Sequence, residues 1–281
     1  MTSTRTPAQA GATRDIARSA EIADATAATF LSEYADRPPA AIVVVIPALN
    51  EASSVASVID AVPSEICGLR AEALLVDDGS TDATSELARR AGAMVCRLPV
   101  NLGQGVAFRL GYRLARERGA QFIATADADG QFDPGELPAL IRPLKDGEAD
   151  FVNGSRRLGR TYTTDPVRRL GVVVFGTIIS TLTGVRITDP ANGLRAFRAD
   201  ITSVVPLRQT QYQTSELLIC TVAHGYRVKE VPVTMYQRKA GQTKKGRNFI
   251  YGCRFARVVL TTWWAQRATA RRLLPPHQGL W

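Results

Sequence analysis

The chain alternates between short apolar runs and segments with helical spacing from about residue 41 onwards. Residues 42–46 are all β-branched, and residues 122–126 form a second, mainly apolar run, so both are predicted to be buried strands. Further strands are predicted at residues 73–76, 94–98 and up to 152, and helices at 51–61, 81–90, 105–118 and from 134. This alternation predicts an α/β fold with a mainly parallel sheet and helices on both faces.

The second half of the chain has a less regular pattern. Helices are predicted over residues 165–183 and 214–223, and strands over 194–197 and 227–235. A last helix, over residues 249–267, mixes five aromatic residues with arginines. That mixture is typical of a helix lying at a membrane surface, and an amphipathic helix packed on the protein body fits it equally.

Two carboxylates and one amide follow the predicted strand at residues 122–126. They belong to Asp127, Asp129 and Gln131. Open α/β sheets bind ligands at the carboxyl ends of their strands, and oxygen ligands of this kind suit Mg²⁺ or Mn²⁺ bridged to substrate phosphates. The alternative is an Asp-rich turn in which Asp133 caps the next helix.

Other polar motifs also follow predicted strands. Residues 47–51 contain no glycine, which argues against a dinucleotide-binding loop. Asp77 and Asp78 end another strand, where a carboxylate can bond a ribose or a base. Arginines cluster further along the chain, and their guanidinium groups match the geometry of phosphate oxygens. Closer to the end of the sequence is a Gly-hinged basic loop that could close over a diphosphate. The arginines of the cluster are Arg156, Arg157, Arg168 and Arg169, and the loop spans residues 238–246.

Charge is distributed unevenly along the 281 residues, whose net charge is +9. No acidic residue follows Glu230, whereas ten lysines and arginines lie between Arg238 and Arg272. Such a segment suits an anionic partner, namely phosphate groups, nucleic acid or an anionic membrane, and a solubilising tail is the simpler interpretation. No stretch reaches the ~18–20 apolar residues of a membrane span, and no signal peptide is visible. The four scattered cysteines suit a reducing cytoplasm.

Together and in this order, the motifs resemble glycosyltransferase family 2, inverting nucleotide-sugar enzymes of GT-A fold. The closest resemblance is to dolichyl- or polyprenyl-phosphate mannosyl and glucosyl synthases. It covers about residues 41–245. The matching segments are P-x-x-N-E at 47–51, V-D-D-G-S at 76–80, N-x-G-x-G-x-A at 101–107, D-A-D-x-Q at 127–131, G-S-R at 154–156, D-x-x-x-G-x-R-A at 189–196 and R-x-x-G-x-[ST]-K at 238–244.

The resemblance implies a role for each matching residue. Asp127 lies near the sugar and ribose, Asp129 and Gln131 hold the divalent ion, Mg²⁺ or Mn²⁺, and Asp127, Asp129 and Arg238 form the catalytic set. The residues that bind the nucleotide are Pro47, Leu49, Glu51, Val76, Asp78, Ala128 and Lys244, with Arg238 and Lys244 on the diphosphate. Those that receive the acceptor phosphate are Arg156 and one of Arg168 or Arg169. Leu49 departs from the aromatic residue common there, so base stacking on it is not expected.

The implied organisation is a mobile N-terminal arm, a nucleotide-sugar transferase domain, and a basic amphipathic helix with a tail. Their bounds are 1–38, 39–245 and 246–281. The expected reaction moves a hexose from a UDP- or GDP-sugar to a polyprenyl phosphate on the cytoplasmic face of a membrane, without nucleic acid. The alternatives are a soluble family-2 enzyme acting on a sugar, metabolite or glycan, and a nucleotide- or nucleic-acid-binding protein that is not an enzyme. The donor base, the hexose and the oligomeric state stay open.

Overall fold

The computed structural model describes residues 7–162, 166–237 and 248–273. The strands are β1 (Ile42–Ala48), β2 (Glu65–Ile66), β3 (Leu69–Asp77), β4 (Met94–Arg97), β5 (Phe122–Thr125), β6 (Phe151–Thr161), β7 (Arg195–Arg198) and β8 (Val228–Met235). The helices are α1 (Pro7–Glu33), α2 (Val55–Asp60), α3 (Thr84–Arg90), α4 (Gln104–Glu117), α5 (Leu137–Lys145), α6 (Pro166–Thr183), α7 (Ile201–Val204), α8 (Gln213–Ala223) and α9 (Asn248–Leu273), with one 3₁₀ turn at Pro134–Glu136.

One mixed sheet organises the described chain, in the order β4-β3-β1-β5-β7-β6-β8, with the short β2 also paired to β3. The pairs among β4, β3, β1 and β5 are parallel, as is β6 with β8, whereas β7 runs antiparallel to both of its neighbours. The predicted mainly parallel α/β sheet is therefore confirmed. Parallel strands bring their carboxyl ends to the same edge, which is where the strand-end motifs meet.

Side chains alternate between the two faces of the sheet and form two separate apolar layers. On β1, Val43 and Val45 pack towards α4 and α8, while Val44 and Ile46 pack towards α2 and α5. Both faces are covered, so this central strand is apolar throughout instead of alternating with polar residues.

Several boundaries differ from those predicted. The strand predicted to end at residue 152 instead begins at Phe151 and runs to Thr161. The helices predicted from residues 51 and 81 begin at Val55 and Thr84, because the residues before them form hydrogen-bonded loops at the sheet edge.

The second half of the region predicted to be a mobile N-terminal arm contacts the body of the protein. In α1, Ala27 and Phe30 are buried in the core that also includes α4 and β4. The Tyr34 hydroxyl accepts a hydrogen bond from the Val95 amide at 3.1 Å, and Arg118 donates to the Arg37 carbonyl at 2.8 Å. These contacts fasten the chain that leads into β1.

The helix α9 packs on the body through one face and exposes the other. Phe255 and Val259 are buried, and the Phe255 ring lies 4.4 Å from that of Phe175 on α6, centroid to centroid. Leu260 and Trp264 on the opposite side are 52% and 64% exposed. Among the described residues, no helix has the length and apolar character needed to cross a membrane.

Candidate active site

The acidic segment that follows β5 forms a turn held at the start of α2. The Ser54 hydroxyl donates to the Ala128 carbonyl at 2.7 Å, and Asp129 accepts a hydrogen bond from the amide of Gln131 at 3.0 Å. Asp127, Asp129 and Gln131 are half-buried, whereas Ala128 is buried. Asp127, Asp129 and Gln131 therefore remain partly accessible to a ligand at the edge.

Two neighbouring loops at the same edge are bonded to each other. Asn50 adopts a left-handed backbone with φ 52°, and its side-chain carbonyl accepts from the Thr81 amide at 2.8 Å. The Asn50 and Glu51 amides donate to the hydroxyls of Ser80 and Thr84, each at 2.8 Å. These bonds order the entrance from β1 to α2, where Leu49 and Glu51 are half-buried.

Asp78 joins these loops to the connection between β4 and α4. Its carboxylate accepts hydrogen bonds from the amides of Leu102 at 2.7 Å and Gly103 at 2.9 Å. Burial raises the pKa of Asp78, and the two amides oppose that rise. The carboxylate is already engaged within the protein, so any contact with a nucleoside would have to use the acceptor capacity left over.

Pro47 and Val76 lie next to each other in the parallel register of β1 and β3. Both are buried, and Val76 belongs to the apolar core. Pro47 and Val76 are therefore less accessible to a ligand than the half-buried Leu49 and Glu51. The nucleoside-binding role of these residues stays a prediction.

A second polar group includes a residue of β6 that lies just beyond the part of the strand paired with β7. Arg156 on β6 donates from Nε and Nη2 to the two oxygens of Asp189, each at 2.6 Å. Burial opposes the ionisation of Asp189, but the hydrogen bonds and charge of Arg156 outweigh it and hold the pKa of this carboxyl below its ordinary value. Arg156 is thus a fixed cation whose orientation is set by Asp189.

The loop from Thr188 to Leu194 lies between Arg156 and the acidic turn. A Cβ added to Gly193 would lie 2.1 Å from Oδ2 of Asp127, so the carboxylate is in close contact with the glycine. Arg195, which follows the loop, is fully buried and donates to the carbonyls of Asn192 and Pro190, both at 2.8 Å. Burial lowers the pKa of Arg195 to about 10, so the guanidinium stays charged at neutral pH.

A cleft of about 650 Å³ opens beside Asp129. The acidic turn, α2 and the end of β8 form its walls. The lining residues are Ser53, Ser54, Ser57, Val58, Ala61, Asp129, Gly130, Phe132, Asp133, Pro134, Tyr162, Tyr236 and Gln237. The Tyr236 amide donates to the Gln131 carbonyl at 2.8 Å, which fixes the end of β8 against the acidic turn.

Three predicted cations lie wholly or partly outside the described residues. Arg238 and Lys244 belong to the stretch 238–247, and only the backbone of Arg168 is described. The described chain before Arg238 ends at Gln237 in the wall of the cleft, one residue beyond the bond from Tyr236 to Gln131. Arg169 is exposed on the first turns of α6.

The residues of the acidic turn fit a divalent ion only when a substrate completes its coordination. In the described parts of the chain, no group of three or more acidic, histidine or cysteine side chains forms a closed metal site. Mg²⁺ is commonly held by one or two carboxylates together with substrate phosphates and water. The carboxylate of Asp129 and the side-chain amide oxygen of Gln131 match that open type of site.

The sequence model of the family described as Glycosyl transferase family 2 matches residues 43–205, which include the three loops, the acidic turn and Arg156. The chain belongs to glycosyltransferase family 2. This confirms the resemblance drawn from the motifs and identifies the chain as a glycosyltransferase. The site at the sheet edge is therefore the candidate active site of a family-2 transferase.

The transferase is similar in sequence to two polyprenyl-type phosphate sugar transferases. A dolichyl-phosphate hexose transferase of Haloferax volcanii is 33% identical over 201 residues, covering 72% of this chain and 85% of that protein. An undecaprenyl-phosphate mannosyltransferase of Micrococcus luteus is 30% identical over 218 residues, covering 72% of this chain and 86% of that protein.

Solved structures share the fold of the transferase. The structure of glucosyl-3-phosphoglycerate synthase from Mycobacterium tuberculosis, in complex with Mn²⁺, UDP and phosphoglyceric acid, is 23% identical. It matches with a TM-score of 0.63, covering 85% of this chain and 82% of that one. At this identity the likeness establishes the fold.

Sequence reasoning missed the residues that hold the site together. Glu230, which accepts hydrogen bonds from the Thr188 amide and the Asn153 side chain, is distinguished in the sequence only as its last acidic residue. Their signal is weak, because a single polar residue at a strand end is common. Arg195 lay within a matching motif, but nothing in the local pattern indicated that its guanidinium is buried.

Proposed function

We propose that this transferase moves a hexose from a nucleotide diphosphate sugar to a polyprenyl phosphate, with a divalent cation at Asp129 and Gln131. The observation that carries the proposal is the similarity, at 30% identity or more, to two polyprenyl-type phosphate sugar transferases over about 85% of their lengths. Both alignments are long enough to include the whole sheet edge, so the similarity is not that of one isolated motif.

The donor would bind across the carboxyl edge of β3, β1 and β5. Leu49, Glu51 and Asp78 surround the nucleoside position, and the acidic turn faces the diphosphate. When bound, the cation supplies positive charge where the departing nucleoside diphosphate becomes more negative, and such electrostatic stabilisation is usually the largest catalytic contribution. Arg238 and Lys244 would add cationic groups on the same leaving group.

The acceptor would present its phosphate to Arg156, with Arg168 or Arg169 as a second cation. A phosphate monoester is mostly ionised near pH 7, since its second pKa is about 6. The nucleophile is thus already charged, and no strong general base is needed. This requirement agrees with a chain that has only two histidines.

A membrane-bound acceptor suits the exposed faces of α6 and α9. On α6, Leu170 and Val174 are 64% and 45% exposed next to Arg169. On α9, Trp264 is exposed near Arg257 and Arg267, and the guanidinium of Arg267 lies 4.6 Å from its ring centroid. Apolar and aromatic groups bordered by arginines, with no acidic residue in either helix, favour peripheral binding to an anionic membrane.

A donor screen tests the proposal. UDP- and GDP-hexoses are supplied with Mg²⁺ or Mn²⁺, with and without a short-chain polyprenyl phosphate, and nucleoside diphosphate release and glycolipid formation are measured. We expect the polyprenyl phosphate to stimulate release from one donor and to become glycosylated. Transfer only to water-soluble sugars or metabolites, together with no sedimentation on anionic liposomes, would contradict the acceptor and the membrane location.

A further inference from the structure

Four polar side chains form a row beneath the loop that separates Asp127 from Arg156. Thr125 on β5, Arg195 on β7, Asn153 on β6 and Glu230 on β8 are direct cross-strand partners in the sheet register. Cross-strand partners project from the same face of a sheet. The row therefore spans four adjacent strands and points to one side.

Each member of the row bonds the backbone of the loop from Thr188 to Gly193. The Thr125 hydroxyl donates to the Gly193 carbonyl at 2.7 Å, and the Arg195 guanidinium reaches the Pro190 and Asn192 carbonyls. The Asn153 amide donates to the Asp189 carbonyl at 2.8 Å. Backbone contacts fix the path of the loop whatever side chains it carries.

Glu230 makes the densest set of these contacts. Its carboxylate accepts hydrogen bonds from the amides of Thr188 at 2.7 Å and Asp189 at 3.1 Å. It also accepts from the Thr188 hydroxyl at 2.7 Å and from the Asn153 side-chain amide at 2.9 Å. Four donors therefore converge on one carboxylate, and three of them belong to Thr188 and Asp189, the first two residues of the loop.

The loop transmits this order to Arg156. Asp189, whose amide is held by Glu230, is buried and forms the two-pronged pair with Arg156, and it accepts from the Arg156 amide at 3.0 Å. The other edge of the guanidinium, at Nη1, lies 3.4 Å from the sulfur of Met235, a weak acceptor. If Arg156 receives the acceptor phosphate, the orientation set by Asp189 decides where that phosphate binds.

We propose that Glu230 is a positioning residue for a phosphate monoester acceptor and acts through Asp189 on the orientation of Arg156. The inference rests on the proposed function to the extent that Arg156 receives the acceptor phosphate. Glu230 itself touches neither substrate. Its effect is thus confined to acceptor use, while the acidic turn continues to bind the donor.

The variant Glu230→Gln tests this relay. Glutamine has the same size, but its NH₂ group replaces one of the two acceptor oxygens and faces the donors that converge there. We expect the KM for the phosphorylated acceptor to rise about tenfold, since leaving one buried donor unsatisfied commonly has an effect of that size. The KM for the nucleotide sugar and its slow hydrolysis without acceptor should stay within about twofold of the wild-type values.

Two further variants separate positioning from a general loss of structure. Thr188→Val removes only the hydroxyl bonded to Glu230 and to Ser155, and should shift the acceptor KM in the same direction by less. Glu148→Gln is the matched control. It removes an exposed carboxylate that pairs with Lys229, the neighbour of Glu230 on β8, and should change neither KM.

A double-mutant cycle with Arg156→Ala identifies the route. If Glu230 acts through Arg156, adding Glu230→Gln to Arg156→Ala raises the acceptor KM no further. Full additivity would overturn the relay, as would an equal rise in the donor and acceptor KM values of the single variant.

Assays with two different phosphate acceptors distinguish a failure of this inference from a failure of the proposed function. Wild-type enzyme is first tried with a short-chain polyprenyl phosphate and with 3-phosphoglycerate. Transfer to the second alone would refute the polyprenyl acceptor, and the Glu230 comparison would then be made with that phosphate monoester. A wild-type enzyme that uses only acceptors without phosphate would overturn both.

Discussion

The contact between Gly193 and Asp127 makes Gly193→Ala an informative perturbation. Gly193 does not adopt the left-handed backbone region, so alanine introduces no backbone strain there. Its Cβ would instead lie 2.1 Å from Oδ2 and 2.5 Å from Cγ of Asp127. The loop cannot retreat easily, because Thr125 and Arg195 bond its backbone.

The size of the effect follows from this geometry. Ordinary contact between heavy atoms begins near ~3.5 Å, so the Asp127 carboxylate has to move by more than ~1 Å. A displacement of that size at a reacting centre commonly costs about 100-fold in rate. We therefore expect kcat/KM for the nucleotide sugar to fall about 100-fold, equivalent to ~2.7 kcal/mol of transition-state stabilisation.

The assay measures nucleoside diphosphate release over a range of donor and metal concentrations, together with thermal unfolding. Gly171→Ala is the matched control, since a Cβ there meets nothing within 4 Å. It should retain wild-type activity and should stabilise α6 by up to ~1 kcal/mol. A folded Gly193→Ala enzyme with wild-type kcat/KM would show that catalysis does not depend on the position of Asp127, and would refute the reasoning.

Three other predictions concern the acidic turn and the stability of the fold. Asp129→Ala and Arg238→Ala should each lower turnover by about 10²–10³, and near-normal nucleoside diphosphate release by purified Asp129→Ala protein would remove the metal role. Gly79→Ala, with φ 81° and a Cβ 2.6 Å from a backbone carbon of the β4–α4 connection, should lower the free energy of unfolding by at least ~2 kcal/mol in urea titrations. Hydrogen bonds from Arg227 hold the pKa of Asp150 below its ordinary value. This stabilisation is therefore present above the unfolded-state pKa and is lost as pH falls through the folded-state value. Asp150→Asn should be destabilised by ~2 kcal/mol at pH 7 and should approach wild type only as pH falls below about 4. A difference in unfolding free energy that stays constant from pH 7 to well below pH 4 would exclude the linkage.

The strand-end motifs were predictable because they depend on a simple geometric rule. Once residues 42–46 and 122–126 are recognised as strands of one parallel sheet, Leu49 and Asp127 must emerge at the same edge. Recognising the motifs required only short stretches of sequence, each a few residues long. The fold class and the family membership follow from the same local information.

The support beneath the site was not predictable in this way. Asn153 and Glu230 are separated by 77 positions, and Thr125 reaches a carbonyl 68 positions away. Their partners are mostly backbone groups, which leave no signature in the identity of the contacted residue. The antiparallel direction of β7, which brings Arg195 between Thr125 and Asn153, also has no local signal. A single sequence therefore identifies the edge but not the row that holds its loop.

The row of Thr125, Arg195, Asn153 and Glu230 also lies beneath two groups of opposite charge at one edge. Arg156 carries a charge opposite to that of the carboxylates of Asp127 and Asp129. Its Nε and Nη2 atoms are paired with the two oxygens of Asp189, a carboxylate on the loop that the row holds. Beneath the loop, the positive charge of Arg195 interacts with both Asp189 and Asp127 and offsets part of their charge. Asp127 and Arg156 thus each interact with an oppositely charged group within the protein, which fits an edge whose charges are in place before any substrate binds.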